Sequence, residues 1–207
     1  MIGMIKKDLL MLKNNMKSTL IAIAIYIFYS IMFEIDMSFF LPFLGLMLCM
    51  STISYDEFNN WHAYVSTLPQ GKINVIKSKY IITIGVTTIL TIVGVIISMI
   101  MGNMTNNYEE YVSIIMGKLL AIIFAISVLY PILFKYGAEK GRLAMIVVGL
   151  TLFGIFTLLT KVIKIKIPKE VITLLDSYLP IISIIVAIIL ISCSYLISKK
   201  IYLKKEF

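Results

Sequence analysis

Long runs without Asp, Glu, Lys or Arg alternate with short charged segments along the 207 residues. A helix needs roughly 20 apolar residues to cross a bilayer core. On that measure the pattern predicts six membrane-spanning helices, at about residues 18–35, 37–55, 80–103, 111–134, 143–160 and 177–198. The acidic turn Glu34-Ile35-Asp36 separates the first two, and the fourth carries one charge, Lys118. The first and fifth are short, so their flanking lysines are expected to snorkel. Pro180 suits the first turn of the sixth. The expected fold is all-α: a polytopic membrane protein with a transmembrane domain over 18–207.

Two segments outside the spans have a pattern of their own. Ile2, Ile5, Leu9, Leu12 and Met16 recur at steps of 3, 4, 3 and 4, with Lys6, Lys7, Lys13 and Lys17 between them. That is the period of a helix with one apolar face. Residues 1–17 are therefore expected to form an amphipathic interfacial helix, its lysines on anionic lipid. The second segment joins spans two and three. Ser54 and Asp56 are candidate N-caps, Asp56 and Glu57 suit the positive end of a helix dipole, and Leu68-Pro69-Gln70-Gly71 is a stop signal. Phe58, Trp61, Val65 and Leu68 fall at helical steps between them, predicting a short helix over about 56–68. Its stripe suits either burial against the protein's own base or insertion into a groove on a partner.

Composition strengthens the membrane reading. Residues are 60% hydrophobic and 14% charged, against about 45–50% and 25% in soluble domains. The net charge of +8 invites a nucleic-acid reading, but the basic residues sit in short clusters between apolar runs. Fourteen of the 19 Lys and Arg fall on one side of the six-span topology, in the N-terminal segment, 72–79, 135–142 and 199–205. By the positive-inside rule both termini are cytoplasmic. Lys161, Lys164, Lys166 and Lys169 break the rule and predict structure at the outer interface. Cys49 and Cys193 lie in apolar runs and are expected to pack rather than bridge. The first span is too long for a cleaved signal peptide and lacks a clear cleavage site, so it is expected to be retained.

The sequence offers no catalytic constellation. There is no Gly-x-x-x-x-Gly-Lys-Ser/Thr loop to cradle phosphates. Glu109-Glu110 lacks the arginine of an intramembrane glutamate protease, Ile114 standing in its place, and the single histidine, His62, rules out multi-histidine metal sites. The expectation is a protein that is not an enzyme and holds no cofactor or metal itself. His62 reads as a solvated or packed histidine, or as a pH-sensitive contact with a partner. Lys118 either snorkels to the outer surface or lines a path. Tyr130-Pro131 reads either as a hinge or as a tolerated membrane-helix proline.

Taken together, Tyr55-Asp56-Glu57, then Trp61, Tyr64 and Leu68-Pro69, then Val75-Ile76-Lys77-Ser78-Lys79-Tyr80, placed after two spans and before four, resemble the ABC-2 type permeases. The similarity is greatest to the small six-span permeases of bacterial peptide exporters, including those for phenol-soluble modulins. The resemblance implies a permease subunit of an ATP-driven exporter in the bacterial cell membrane. It implies two ABC ATPase subunits that bind ATP and Mg, a second permease subunit, identical or homologous, and amphipathic or hydrophobic peptides as substrate. It makes 56–68 a coupling helix, with Tyr55, Asp56, Glu57, Phe58, Trp61, Val65, Leu68 and Pro69 as the ATPase contact. It makes 161–176 an external re-entrant region. Membrane lipid is a partner and nucleic acid is not. The rival readings are a self-sufficient secondary transporter or channel, and a passive membrane interaction or immunity protein. Against the secondary transporter, the spans lack acidic residues for ion coupling.

Overall fold

The computed structural model describes residues 1–33, 40–100, 108–166 and 169–205, with the backbone alone at 16, 26, 29–31, 33, 99–100, 108–114, 145, 152–153, 155–166 and 169–180. All elements among the described residues are helices: α1 (Ile2–Phe33), α2 (Phe40–Phe58), α3 (Trp61–Ser66), α4 (Gly71–Ile100), α5 (Tyr108–Lys166) and α6 (Lys169–Leu203). Among the described residues three segments are long and apolar enough to cross a membrane: Gly71–Ser98, Ile115–Ala144 and Ile181–Leu203. The turn at 34–36 and the side chains of Glu109, Glu110, Lys161, Lys164, Lys166 and Lys169 lie outside the described residues, as do those of the expected re-entrant region at 161–176.

Several boundaries differ from the sequence expectation. The interfacial helix and first span are one unbroken helix, α1, because neither Gly nor Pro occurs between Met4 and Phe33. The segment 135–142, left between the expected fourth and fifth spans, is helical but for a single residue. Inside α5 the backbone leaves helical geometry at Gly137 (φ 85°, ψ 177°), a conformation that L side chains rarely adopt. The two arms then fold back on each other: a Cβ on Gly141 would lie 2.2 Å from Cδ2 of Leu133, whereas eight residues of straight helix span about 12 Å. The non-helical residue in this element is Gly137, with Pro131 carried inside the first arm. The second arm runs antiparallel to α2, with Gly141 beside Met50 and Gly149 beside Phe43.

Helices approach closely through small residues, the usual device where lipid removes the hydrophobic drive between helices. A Cβ on Gly45 of α2 would meet Leu90 Cδ1 of α4 at 2.8 Å and Thr87 Cγ2 at 3.5 Å. Along α4 the buried hydroxyls of Thr83, Thr87 and Thr91 each donate to a carbonyl four residues back, so none is left unsatisfied. A polar aromatic hub ties α4, α5 and α6. The Tyr80 hydroxyl is bonded to Ser194 Oγ (2.6 Å) and Ser198 Oγ (2.8 Å), Tyr130 meets Thr83, and Ser194 donates to the Ser127 carbonyl at 2.8 Å. Apolar side chains instead crowd the outer surface, such as Ile89 on α4 and Ile188 on α6, as a lipid-facing surface would.

Candidate functional site: the α3 end of the bundle

Six chain segments meet at one end of the bundle: the start of α1, the end of α2, α3, the start of α4, the break in α5 and the end of α6. The helix expected over 56–68 is divided there. α2 runs on to Phe58, so Tyr55, Asp56, Glu57 and Phe58 form its last turn rather than the first turn of a new helix. The chain turns at Asn59 and Asn60, Asn60 in the left-handed region (φ 49°), which Asn tolerates better than most residues. α3 then occupies only Trp61–Ser66. It closes on a tight turn in which Gly71 N donates to the Leu68 carbonyl at 3.0 Å. A Cβ on Gly71 would sit 2.1 Å from the Val65 carbonyl oxygen, so the close approach requires glycine.

Asp56 does not cap a helix. It is fully buried, and its charge is matched by Lys7 of α1 and Lys79 of α4. Lys79 Nζ lies 2.7 Å from Asp56 Oδ2 and 2.9 Å from Asp8 Oδ1, and Lys7 Nζ lies 3.2 Å from Asp8 Oδ1 and pairs with Asp56 Oδ1. Lys79 also donates to Thr52 Oγ1 at 2.9 Å. Asp56 Oδ2 has this charge partner but no aligned hydrogen bond. Two ammonium groups and two carboxylates alternate in a closed ring of zero net charge. Unpaired charges at this depth would be costly to desolvate.

α3 is held on its inner side. Val65 is buried, and Lys7 Nζ stands 4.4 Å from the centre of the Trp61 ring, within cation–π range. The Trp61 indole Nε1 is buried without a hydrogen-bond partner among the described residues. His62 Nδ1 meets the Tyr202 hydroxyl of α6 at 2.5 Å. Desolvation by burial holds its imidazole down at about 4 from an ordinary 6.5; Lys205, Lys79 and Lys7 push the same way and Asp56 opposes. His62 is therefore neutral at physiological pH. Glu57 Oε2 accepts from Ala138 N at 2.9 Å, capping the second arm of α5 from another helix. Between these groups lies a notch of about 380 Å³ lined by Glu57, Asn60, His62, Tyr136, Gly137 and Lys205.

The sequence-predicted residues thus separate. Asp56 and Val65 are buried, Glu57 and Trp61 half-buried, and Tyr55, Phe58, Leu68 and Pro69 exposed, Phe58 at 85%. The apolar stripe therefore does not share one face: Trp61 and Val65 turn inward, Phe58 and Leu68 outward. Lys118 is half-buried on the first arm of α5, roughly 28 Å along the helix from Gly137, and does not join this end. Asp8 was not singled out by sequence pattern, and Lys79 entered only as part of the run 75–80 that carries the resemblance. The available signal was that Asp8 is the sole acid in α1.

A family model described as "ABC-2 family transporter protein" matches residues 3–203. The chain belongs to the ABC-2 transporter family. It is accordingly a membrane-embedded permease subunit of an ABC transporter, the membrane component of the system and not its ATPase, and its partners include ABC ATPase subunits. Searches of curated proteins and of solved structures return no match.

Proposed function

We propose that this ABC-2 permease subunit exports amphipathic or hydrophobic peptides from a bacterial cell, pairing with a second permease subunit and two ATPases that bind ATP and Mg. Its six spans are α1, α2, α4, the two arms of α5 and α6. Both termini and α3 face the cytoplasm, where the basic residues concentrate. The N-terminal part of α1 lies at the interface, with Ile2 81% exposed toward lipid, and 161–176 forms the external re-entrant region. Lys118 borders the path on the outer half. The substrate class rests on the resemblance of 55–80 to permeases of peptide exporters.

The observation that carries the coupling role is the two-sided build of the α3 end. Trp61, Val65, Asp56 and Glu57 fasten it to the bundle, while Phe58, Tyr64 and Leu68, all exposed, project apolar surface away from it. The outward surface docks on the ATPase, and Tyr55 and Pro69 border it. ATP shifts the permease only through contacts that differ between its two states, and this surface supplies them. Co-expression with the ATPase and affinity purification test the reading. The complex is expected to survive washing with the unaltered chain and to fall apart with Phe58→Glu/Leu68→Glu. Retention by the altered chain, or peptide transport by the permease alone in liposomes, would sink it.

A further inference from the structure

Asp8 and Lys79 are almost fully buried, at 1% and 3% exposure, and neither offers a surface to a partner. We propose that they are positioning residues for energy coupling: the ring Lys7, Asp8, Lys79 and Asp56 makes α1 and α4 move as one body with α2 and α3 when the ATPase changes state. This rests on the reading of α3 as the ATPase contact.

The attachments of α3 and the end of α2 to the remaining helices differ in kind. Toward α1 and α4 they run through four charges, each ammonium touching both carboxylates, with Lys7 also over the Trp61 ring. Withdrawing any one member leaves a buried charge without its counterpart, so the ring opposes separation of its three helices at every step. Toward α5 and α6 they combine apolar packing of Ile53 and Val65 with Leu133, Phe134 and Tyr202 with hydrogen bonds beside an open notch, among them His62 to Tyr202, Glu57 to the Ala138 amide and Lys72 to the Lys205 carbonyl at 2.8 Å. A hydrogen bond can be lost singly without stranding a buried net charge, whereas the ring cannot lose one member without doing so. Displacement of α3 and the end of α2 is therefore transmitted to α1 and α4 through the ring. Asp8 and Lys79 act through Asp56 and Lys7, which is why they matter without touching the partner.

The test uses the intact complex with its ATPase. Spin labels are placed at the exposed positions Ser66 on α3 and Leu20 on α1, in a Cys193→Ser background, and their separation is measured without nucleotide and with ATP plus vanadate. The proposal expects no shift with the unaltered ring. It expects a shift in Lys7→Gln/Asp8→Asn, which removes the α1 charges as a neutral pair and leaves Asp56 with Lys79. Inverting all four charges restores the alternation and is expected to abolish the shift again. Should the first variant not be recovered, Asp8→Asn/Lys79→Met leaves Lys7 with Asp56 and is read from labels at Ser66 and Ile89, with the same expectations. A ring that serves only stability would leave the label separation in the altered ring unshifted, which overturns the proposal, as does a shift in the unaltered protein. An unaltered chain that retains no ATPase overturns the docking reading as well, so the two failures are told apart on one sample.

Discussion

The Nδ1 atom of His62 and the Tyr202 hydroxyl meet at 2.5 Å across 140 residues of sequence, joining α3 to the end of α6. Because burial holds the folded His62 at about 4, the unfolded chain takes up a proton below its ordinary 6.5 while the folded chain does not. The unfolded state then binds more protons between these values, so stability falls as pH drops from 6.5 toward 4 and the loss is complete below about 4. Thermal unfolding of the purified protein, followed by the fluorescence of Trp61, its single tryptophan, is expected to show this slope. His62→Gln is expected to flatten it.

Removing Asp56 leaves Lys7 and Lys79 with only Asp8 between them. Asp56→Ala is expected to cost about 3–5 kcal/mol, the usual consequence of breaking a buried ion pair from one side. By contrast, Phe58→Glu changes an exposed side chain and is expected to alter stability by less than about 0.5 kcal/mol while releasing the ATPase. Melting curves and co-purification on the same two variants check both outcomes.

Glycine substitutions separate close approach from open surface. Gly71→Ala forces a Cβ to 2.1 Å from the Val65 oxygen and is expected to cost upward of about 1–3 kcal/mol and to loosen α3. Gly117→Ala meets nothing within 4 Å and is expected to be neutral or mildly stabilising, since alanine favours helix over glycine. Melting temperatures of the two variants in one detergent decide the matter.

At the α5 break, Gly137→Ala places a Cβ 2.9 Å from Glu57 Oε1 in a left-handed backbone. Strain of about 1–3 kcal/mol is expected. Glu57→Gln keeps an acceptor for the Ala138 amide and is expected to be far milder than Glu57→Ala, which leaves that amide unsatisfied. Limited proteolysis at Lys135 and Lys140 reads the opening of this turn: Glu57→Ala is expected to be cut faster than Glu57→Gln.

The helical, membrane-embedded character was legible because apolar run length is a property of contiguous sequence. The division between α2 and α3 was less so. An acid in the last turn of one helix looks, in sequence, like an acid in the first turn of the next, and Asp56 was assigned to the wrong one. Asn59-Asn60 did hold a signal, since asparagine tolerates left-handed backbone, but the stronger stop at Pro69-Gly71 dominated. Periodicity placed Trp61 and Val65 on one helical stripe without saying whether it faced the bundle or a partner. The ionic ring was invisible for a different reason: Asp8 and Lys79 lie 71 residues apart, and one lysine among several in the segment 72–79 carries no mark of the carboxylate it will meet.

The ring has a consequence for biosynthesis. Synthesis delivers Lys7 and Asp8 first, Asp56 next and Lys79 last, so the incomplete assembly holds one ammonium and two carboxylates with an unfilled position between them. Lys79 thus enters the membrane protein toward a negative site that earlier helices have already prepared, and its arrival neutralises that site. The order of the residues along the chain thus leaves α1 and α2 carrying the acidic side chains that the Lys79 ammonium of α4 neutralises.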